Sequence, residues 1–294
     1  MTFGKSFTAI ADNTSAFYWN PAGLIATQTL TLSGMYGPQF GNWNNALASY
    51  HQAGITFPLK KACLAVNWIC LVINDIPVFP VLQGTDFWDR FYNPSLRPTG
   101  EHERSISDRE NAIYFSFSKQ LDFEINLGWM YHKFRVQLPF GASIKSIHQK
   151  IGHSSASGIG LDLGMLVKIP MDDFFQKKKL GSLQIGIAAY DVMQTQLSWN
   201  TRHSDKLTFT QTMAFSYSYP FHKDHCLLLG SDLKNAWGVE WTGWKKVSLR
   251  GSYQSGELFT GAGFSLKQIQ VDYLFQSHDL GNSHRVSCEF HFTK

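Results

Sequence analysis

The segment "HRVSCEFHF", residues 284–292, alternates polar and apolar side chains from Arg285 to Phe292. The apolar positions are Val286, Cys288, Phe290 and Phe292. The polar positions are Arg285, Ser287, Glu289 and His291. A period of two is that of a β-strand with one apolar and one polar face. The segment therefore predicts a strand.

The same alternation recurs along most of the chain after residue 28, and no helical period of comparable length interrupts it. Turn signals divide this region into fourteen candidate strands. They are 29–36, 46–57, 62–73, 111–120, 123–136, 157–169, 182–192, 206–220, 225–233, 237–244, 247–254, 258–266, 268–276 and 284–292.

The connections between these strands differ in length in a regular way. Tight turns follow five even-numbered strands, at 58–61, 121–122, 221–224, 243–246 and 267. The two longest connections, 74–110 and 137–156, follow the third and fifth strands. This pattern is typical of an up-and-down outer-membrane barrel with both termini on the periplasmic side. The connection 170–181 is longer than the pattern predicts.

The composition agrees with strands. The 294 residues are 44% hydrophobic and 15% aromatic, yet the mean hydropathy is -0.18, so apolar residues must be interleaved with polar ones. The most apolar stretch, 62–82, is interrupted by Asn, Asp and Pro, so no transmembrane helix is predicted. The net charge of +4 is small and its basic residues are scattered, which argues against nucleic acid as a partner.

Aromatic residues occupy particular positions in the candidate strands. Strand ends are rich in aromatic residues, as in the interfacial girdles of membrane barrels. These residues are Trp129, Tyr131, Tyr217, Tyr219, Trp237, Trp241 and Trp244. We predict an all-β, transmembrane, antiparallel up-and-down barrel of about 14 strands that contacts outer-membrane lipid. A soluble β-sandwich or propeller is the alternative.

A different pattern precedes the first strand. The aromatic residues Phe17, Tyr18 and Trp19 are followed by a turn sequence, Asn20-Pro21-Ala22-Gly23. Proline fixes one backbone angle, glycine permits an unusual one, and Asn20 can hydrogen-bond its own backbone. We therefore predict a compact turn.

The stretch "FTAIADNTSAFYWNPAGLI", residues 7–25, resembles the N-terminal signature of the PorV/PorQ-like outer-membrane barrels, which are similar to FadL-type transporters of hydrophobic compounds. Asn13 stands where a second acid is usual in that signature. The matching residues are Ala11, Asp12, Ser15, Ala16, Tyr18, Trp19, Asn20, Pro21, Ala22, Gly23 and Leu24. Further similar stretches are "GVEW" (238–241), "LRGSYQSG" (249–256), "GAGFSL" (261–266) and "VDYLFQSHDLGNSHR" (271–285).

The resemblance implies that residues 1–28 form a hatch inside a barrel built from 29–294, with the aromatic residues as filler. A wide lumen needs such an occupant. An ordinary surface turn is the alternative. Two functions follow from the resemblance: an adaptor for secreted cargo proteins in a type IX-like secretion pathway, or a FadL-like channel for small hydrophobic molecules. We expect an export signal upstream of Met1, or one already removed, because residues 1–20 show none.

Four charges on the polar faces of the last strands predict an ion-pair network in the lumen, with separately solvated charges as the alternative. They are Glu240, Arg250, Asp272 and Arg285. No catalytic residue, metal site or cofactor is predicted. Neither the glycines of 158–164, nor His153 with its neighbouring serines, nor the His222–His225 turn has the context that such chemistry requires. Cys63, Cys70, Cys226 and Cys288 are interpreted as small apolar residues.

Overall fold

The computed structural model describes residues 3–126 and 133–292, and β-strands dominate them. The strands are β1 (Leu30–Asn42), β2 (Asn45–Pro58), β3 (Ala62–Val78), β4 (Arg104–Asn126), β5 (Lys133–Ile151), β6 (Ser154–Pro170), β7 (Ser182–Tyr190), β8 (Gln196–Trp199), β9 (Ser204–Lys206), β10 (Thr210–His222), β11 (His225–Asp232), β12 (Ala236–Gly243), β13 (Val247–Gln254), β14 (Glu257–Leu266), β15 (Ile269–Gln276) and β16 (Ser283–Phe292). The helices are α1 (Ala16–Trp19), α2 (Phe87–Tyr92) and α3 (Met171–Phe175), with 3-10 turns at Gly4–Ala9, Pro21–Ala26 and Pro94–Leu96. Within the described ranges, no helix has the length and apolar character needed to cross a membrane.

Fourteen strands close into one antiparallel barrel, which confirms the predicted fold class. The barrel closes where β16 pairs with β1, with Phe292 opposite Leu30. The remaining two strands, β8 and β9, form a hairpin whose first strand meets β6, with Trp199 opposite Ala156. We call the end that carries Leu30 and Phe292 the proximal end, and the opposite end the distal end.

Strand pairing separates an inner face from an outer one. On β7 and β10, the paired residues Ala188 and Thr212 face inward, whereas Ile187 and Met213 face outward. On these two strands, the inner positions Gly186, Ala188 and Ala214 are small, and the outer positions Ile187 and Met213 are large and apolar. The two-residue period predicted from the sequence is therefore the period of the barrel wall.

Two connections differ from the sequence-based prediction. The predicted turn at 121–122 lies inside β4, and the predicted long loop at 137–156 belongs mostly to β5, which turns into β6 at residues 152–153. The hairpin of β4 and β5 pairs as far as Asn126 and Lys133, so alternation continues through residues that look like a turn. The long connection after β3 is confirmed at residues 79–103, and 171–181 contains α3.

Aromatic residues at strand ends lie on the outer face. Trp237 is at the distal end of β12 with 57% of its surface exposed, and Trp244 follows the proximal end of the same strand with 62% exposed. Trp129 and Tyr131 lie outside the described residues. All four cysteines are free thiols.

Candidate functional site

Residues 3–27 lie inside the barrel and contact several strands at once. Their apolar side chains Phe3, Phe7, Phe17 and Leu24 are almost completely buried. They form a cluster with inward residues of β3 and β4, including Tyr114. The core of the protein is thus located in the lumen, between the N-terminal segment and the wall.

The segment approaches the wall most closely at glycines on β6 and β7. A Cβ atom on Gly164 would lie 2.0 Å from Asn20 Oδ1, and one on Gly186 would lie 2.2 Å from the carbonyl oxygen of Thr8. Any larger residue at these two positions would push the segment away from the wall. The strands that hold the segment, β5, β6, β7 and β10, are called the anchoring wall below.

Hydrogen bonds fix the backbone of the segment to the anchoring wall. Tyr190 Oη donates to the carbonyl oxygen of Trp19 at 2.5 Å. Ser143 Oγ donates to the carbonyl of Phe17 at 3.3 Å, and Ser216 Oγ donates to that of Ala9 at 3.2 Å. Three strands therefore satisfy carbonyl groups of a segment that has little regular structure of its own.

Asn20 is the centre of this attachment and is fully buried. Its Nδ2 donates to the carbonyl of Thr8 at 2.8 Å and to the carbonyls of Met165 and Ile187 at 3.2 and 3.4 Å. Its Oδ1 accepts the N–H of Ala22 at 3.2 Å, so the predicted bond of Asn20 to its own backbone is present. One side chain thus joins the segment to itself and to two strands.

Gly23 is needed for a different reason from the one inferred from sequence. Its backbone is not in the left-handed region; residues Pro21–Ala26 form a 3-10 turn, with Pro21 in its first position. A Cβ atom on Gly23 would instead lie 1.9 Å from the carbonyl oxygen of Ala11. The glycine permits two parts of the segment to touch.

The three predicted filler residues have different environments. Phe17 is buried against Tyr114, with ring centroids 5.0 Å apart in an edge-to-face arrangement. Trp19 is partly buried, and Tyr18 remains 41% exposed within the barrel. Phe17 therefore fills the lumen, whereas Tyr18 presents its ring to open space.

The predicted four-residue charge network is divided in the structure. Arg250 Nε donates to Glu240 Oε2 at 2.5 Å, and Arg250 also bonds Asp272. Arg285 does not join them. Its guanidinium lies 3.3 Å from Gln39 and 6.0 Å from the ring centre of Tyr50. The prediction is wrong for Arg285, because β16 lies three strands from β13 and places Arg285 opposite Leu274 rather than Asp272.

A second ion cluster was not predicted. Lys145 Nζ lies 2.8 Å from Asp162 Oδ1 and 3.0 Å from Asp191 Oδ1, and Lys145 and Asp162 are both buried. Asp191 follows β7 and also accepts from Thr195 Oγ1, so the cluster fixes the start of the 191–209 connection to the wall. Lys145 was missed because the predicted loop 137–156 hid its inward position on β5. The alternation of residues 141–147 carries the signal for it.

The opposite side of the lumen, formed by β12–β16, carries most of the remaining charge and is called the charged wall. Thr14 Oγ1 donates to Glu289 Oε1 at 2.5 Å. Asp12 faces Glu240 and Arg250 across a cavity. Asp12 is exposed to the cavity, but the surrounding barrel, and then the charge of Glu240, raises the pKa of its carboxyl from 3.8 to about 6, although Arg250 opposes the change.

Two cavities separate the segment from the charged wall. The larger has a volume of about 250 Å³, opens towards the proximal end and is lined by Asp12, Glu240 and Arg250 among others. The smaller, about 40 Å³, lies between Thr14, Arg285 and Glu289. Both are lined by Asn13 and Arg250, so they are neighbours.

A further cavity, of about 320 Å³, crosses the barrel wall near the distal end of β10. Its lining combines Lys5 and the inward Thr212 with the outward Ile187 and Met213. It lies beside Leu233, just after the end of β11: Ala214 is opposite Asp232, and the N–H of Leu233 donates to the carbonyl of Met213 at 3.3 Å. Residues 210–212 of β10 extend beyond this bond and have no partner on β11 within the described pairing. The wall is therefore incomplete at this point.

No protein-family model matches this chain, and no curated protein matches it. Solved structures do match. The chain is similar to a deletion mutant of the TodX monoaromatic hydrocarbon channel, with a TM-score of 0.53, 10% identity and 95% of each chain covered. It is also similar to the Pseudomonas putida toluene transporter TodX, with a TM-score of 0.51, 8% identity and coverage of 96% of this chain and 95% of that one.

At this level of identity the likeness establishes the fold. The chain has the closed antiparallel barrel fold that these TodX structures also have. The comparisons do not distinguish a PorV/PorQ type.

Proposed function

We propose that the protein is an outer-membrane channel for small hydrophobic molecules. Its fold is that of proteins described as a toluene transporter and a monoaromatic hydrocarbon channel. Large apolar side chains cover the outer face on several sides of the barrel: Phe115 is 56% exposed, Ile144 54% and Leu249 51%. Such a face suits contact with lipid, since a closed barrel satisfies its backbone hydrogen bonds internally.

The gap in the wall beside β10 carries the proposal. An apolar cavity of about 150 Å³ is large enough to bind benzene. The wall cavity of about 320 Å³ therefore has room for a monoaromatic molecule, and Ile187, Met213 and Leu233 give it apolar surface. Because the lining includes both lumen and outer-face residues, a molecule there could pass from the lumen to the lipid without crossing the proximal end.

The test is to fill the gap. We expect Ile187→Trp and Met213→Trp to reduce toluene uptake severalfold when each variant is expressed in a Gram-negative host that has no other hydrocarbon channel. Val239→Trp is the matched control, because Val239 also faces outward, on β12, away from the gap. Each variant must migrate faster before boiling than after it, as a folded barrel does.

Equal uptake by wild type, both gap variants and the control would contradict the gap as the route. Uptake no faster than in the empty host would contradict the channel function itself. Recovery of the protein in the soluble fraction without detergent would contradict the membrane location.

A secretion adaptor of the PorV/PorQ type is a second proposal, supported by the N-terminal motif and by one surface. The long connection after β3 carries four aromatic residues on α2 that are between 51% and 76% exposed: Phe87, Trp88, Phe91 and Tyr92. Their rings stack in pairs, and no residue of α2 is buried. Exposed apolar patches of this kind are typical of interaction sites.

The two functions can be separated with one variant. Replacing Phe87, Trp88, Phe91 and Tyr92 with serine should abolish delivery of secreted cargo in the native host if the adaptor function is correct. The same variant should leave toluene uptake unchanged. Normal cargo delivery by this variant would contradict the adaptor.

A further inference from the structure

The N-terminal segment is held unequally by the two sides of the lumen. On the anchoring wall, Asn20, Ser143, Tyr190 and Ser216 make hydrogen bonds that attach it. Across the charged wall, the hydrogen bonds we find are those of Thr14 Oγ1 to Glu289 and of the N–H of Lys5 to Gln254 Oε1. The two neighbouring cavities described above lie between the segment and the charged wall, and a separate cavity of about 400 Å³ lies between residues 10–28 and the proximal parts of β4–β7.

Charged side chains line the two cavities beside the charged wall and continue to Glu257 at the distal end of β14. We call the row the polar seam, and its carboxylates outnumber its guanidinium groups by five to two. Its carboxylates are Asp12, Glu240, Glu257, Asp272 and Glu289, and its guanidinium groups belong to Arg250 and Arg285. Exposed lysines, Lys245 and Lys246, lie at its proximal mouth in contact with solvent.

We propose that the polar seam is a permeation path for small inorganic cations, separate from the gap that would take hydrophobic molecules. The excess of carboxylates inside a narrow, low-dielectric passage attracts cations and repels anions, as rings of acidic residues do in cation channels. The cavity of about 250 Å³ holds several water molecules, each of which takes about 30 Å³ in the liquid. A partly hydrated ion can therefore enter from the proximal end.

Two features close the path in this structure. The Thr14–Glu289 hydrogen bond joins the segment to the charged wall beside the smaller cavity, whose volume is about 40 Å³. The inward apolar residues Met35, Phe259 and Leu274, all buried, narrow the seam between Asp272 and Glu257. Release of Thr14 from Glu289 would widen the first of these positions, so Thr14 is the residue to change.

Planar-bilayer recordings in a KCl gradient provide the test, and they do not depend on the hydrophobic-channel proposal. We expect Thr14→Ala to raise conductance severalfold over wild type, with a reversal potential that indicates cation preference. Ser216→Ala is the matched control, because it removes a hydrogen bond between the segment and the anchoring wall. It should leave conductance at the wild-type value.

Charge removal then tests selectivity. In the Thr14→Ala background, Glu289→Gln and Asp272→Asn should move the reversal potential towards zero, whereas Asp173→Asn, on exposed α3, should not.

Conductance of Thr14→Ala equal to wild type, an equal rise in Ser216→Ala, or a reversal potential that indicates anion preference would each overturn the proposal. Toluene uptake by Thr14→Ala should match wild type, so failure of one proposal is distinguishable from failure of the other. Heat-dependent migration shows that each variant is folded.

Discussion

The anchoring wall and the charged wall meet the same N-terminal segment in opposite ways. Inward positions on the anchoring wall are mostly small, such as Gly164, Gly186 and Ala188, so the backbone of the segment approaches within contact distance. The charged wall presents long side chains such as Arg250 and Glu289; Glu289 bonds Thr14 of the segment, and two cavities remain beside this contact. Small residues produce dry packing, and charged residues require water or ion pairs.

The largest effect is expected when the whole N-terminal segment is removed. Deleting residues 1–28 removes the segment from both walls, and we expect the barrel still to fold, because its hydrogen-bond ladder closes without them. Small-solute conductance in planar bilayers should rise strongly. Trp19→Ala should raise it less, since it removes one ring and leaves the Asn20 hydrogen bonds in place. Equal conductance in all three proteins would contradict the hatch function.

The second prediction concerns close packing on the anchoring wall. Gly164→Ala places a Cβ 2.0 Å from Asn20 Oδ1 and 2.8 Å from Pro21 Cδ, neither of which can move freely. We expect a loss of about 1–3 kcal/mol in the free energy of unfolding. Urea unfolding of the refolded protein in detergent measures it. In Gly251→Ala, where nothing lies within 4 Å of the new Cβ, stability should stay at the wild-type value. If both substitutions had the same effect, the contact would not matter.

The third prediction compares one hydrogen-bonding residue from each side. Asn20→Ala removes donors to Thr8, Met165 and Ile187 in a fully buried position, which should cost about 1–3 kcal/mol. Thr14→Ala removes one contact beside a water-sized cavity, where water can take its place, and should cost less. Limited proteolysis should cleave the segment faster in Asn20→Ala than in Thr14→Ala. A larger effect for Thr14→Ala would reverse our view of which wall holds the segment.

The smallest expected effect is a pH dependence on the charged side. The pKa of Asp12 in the folded protein is raised to about 6 from 3.8, so its contribution favours the folded state below pH 4 and is lost as pH rises through about 6. Ionised Asp12 then faces Glu240, with Arg250 and the mouth lysines as the nearby positive charges. Protease sensitivity of the segment should therefore increase between pH 5 and 7.5.

Asp12→Asn is the control for this pH dependence. It removes the titrating carboxyl and keeps the shape of the side chain. The variant should show a flatter profile than wild type over the same pH range. Identical profiles in the two proteins would assign the pH dependence to another group.

Much of the barrel follows from the sequence alone. A period of two in a strand such as 284–292 places polar and apolar side chains on opposite faces whatever the partner strand, so strand number and fold class could be predicted locally. The turn at Asn20 could be predicted for the same reason, because its Oδ1 bonds a residue two positions away. The ends of the strands could be predicted less well. Residues 121–126 and 133–138 continue the alternation, so the sequence there does not distinguish a turn from a strand.

The tertiary structure decided which inward residues meet. Arg250 is directly opposite Glu240 and lies two strands from Asp272, whereas Arg285 is opposite Leu274 and lies three strands from Arg250. Spacing along the chain does not determine this strand register. The Lys145–Asp162–Asp191 cluster joins β5, β6 and the connection after β7. A glycine is required at position 23 because the backbone of Ala11 approaches it closely. The wall is incomplete next to Met213 because β10 is longer than β11. Each depends on three-dimensional distances between residues far apart in sequence, whereas alternation is a property of neighbouring residues.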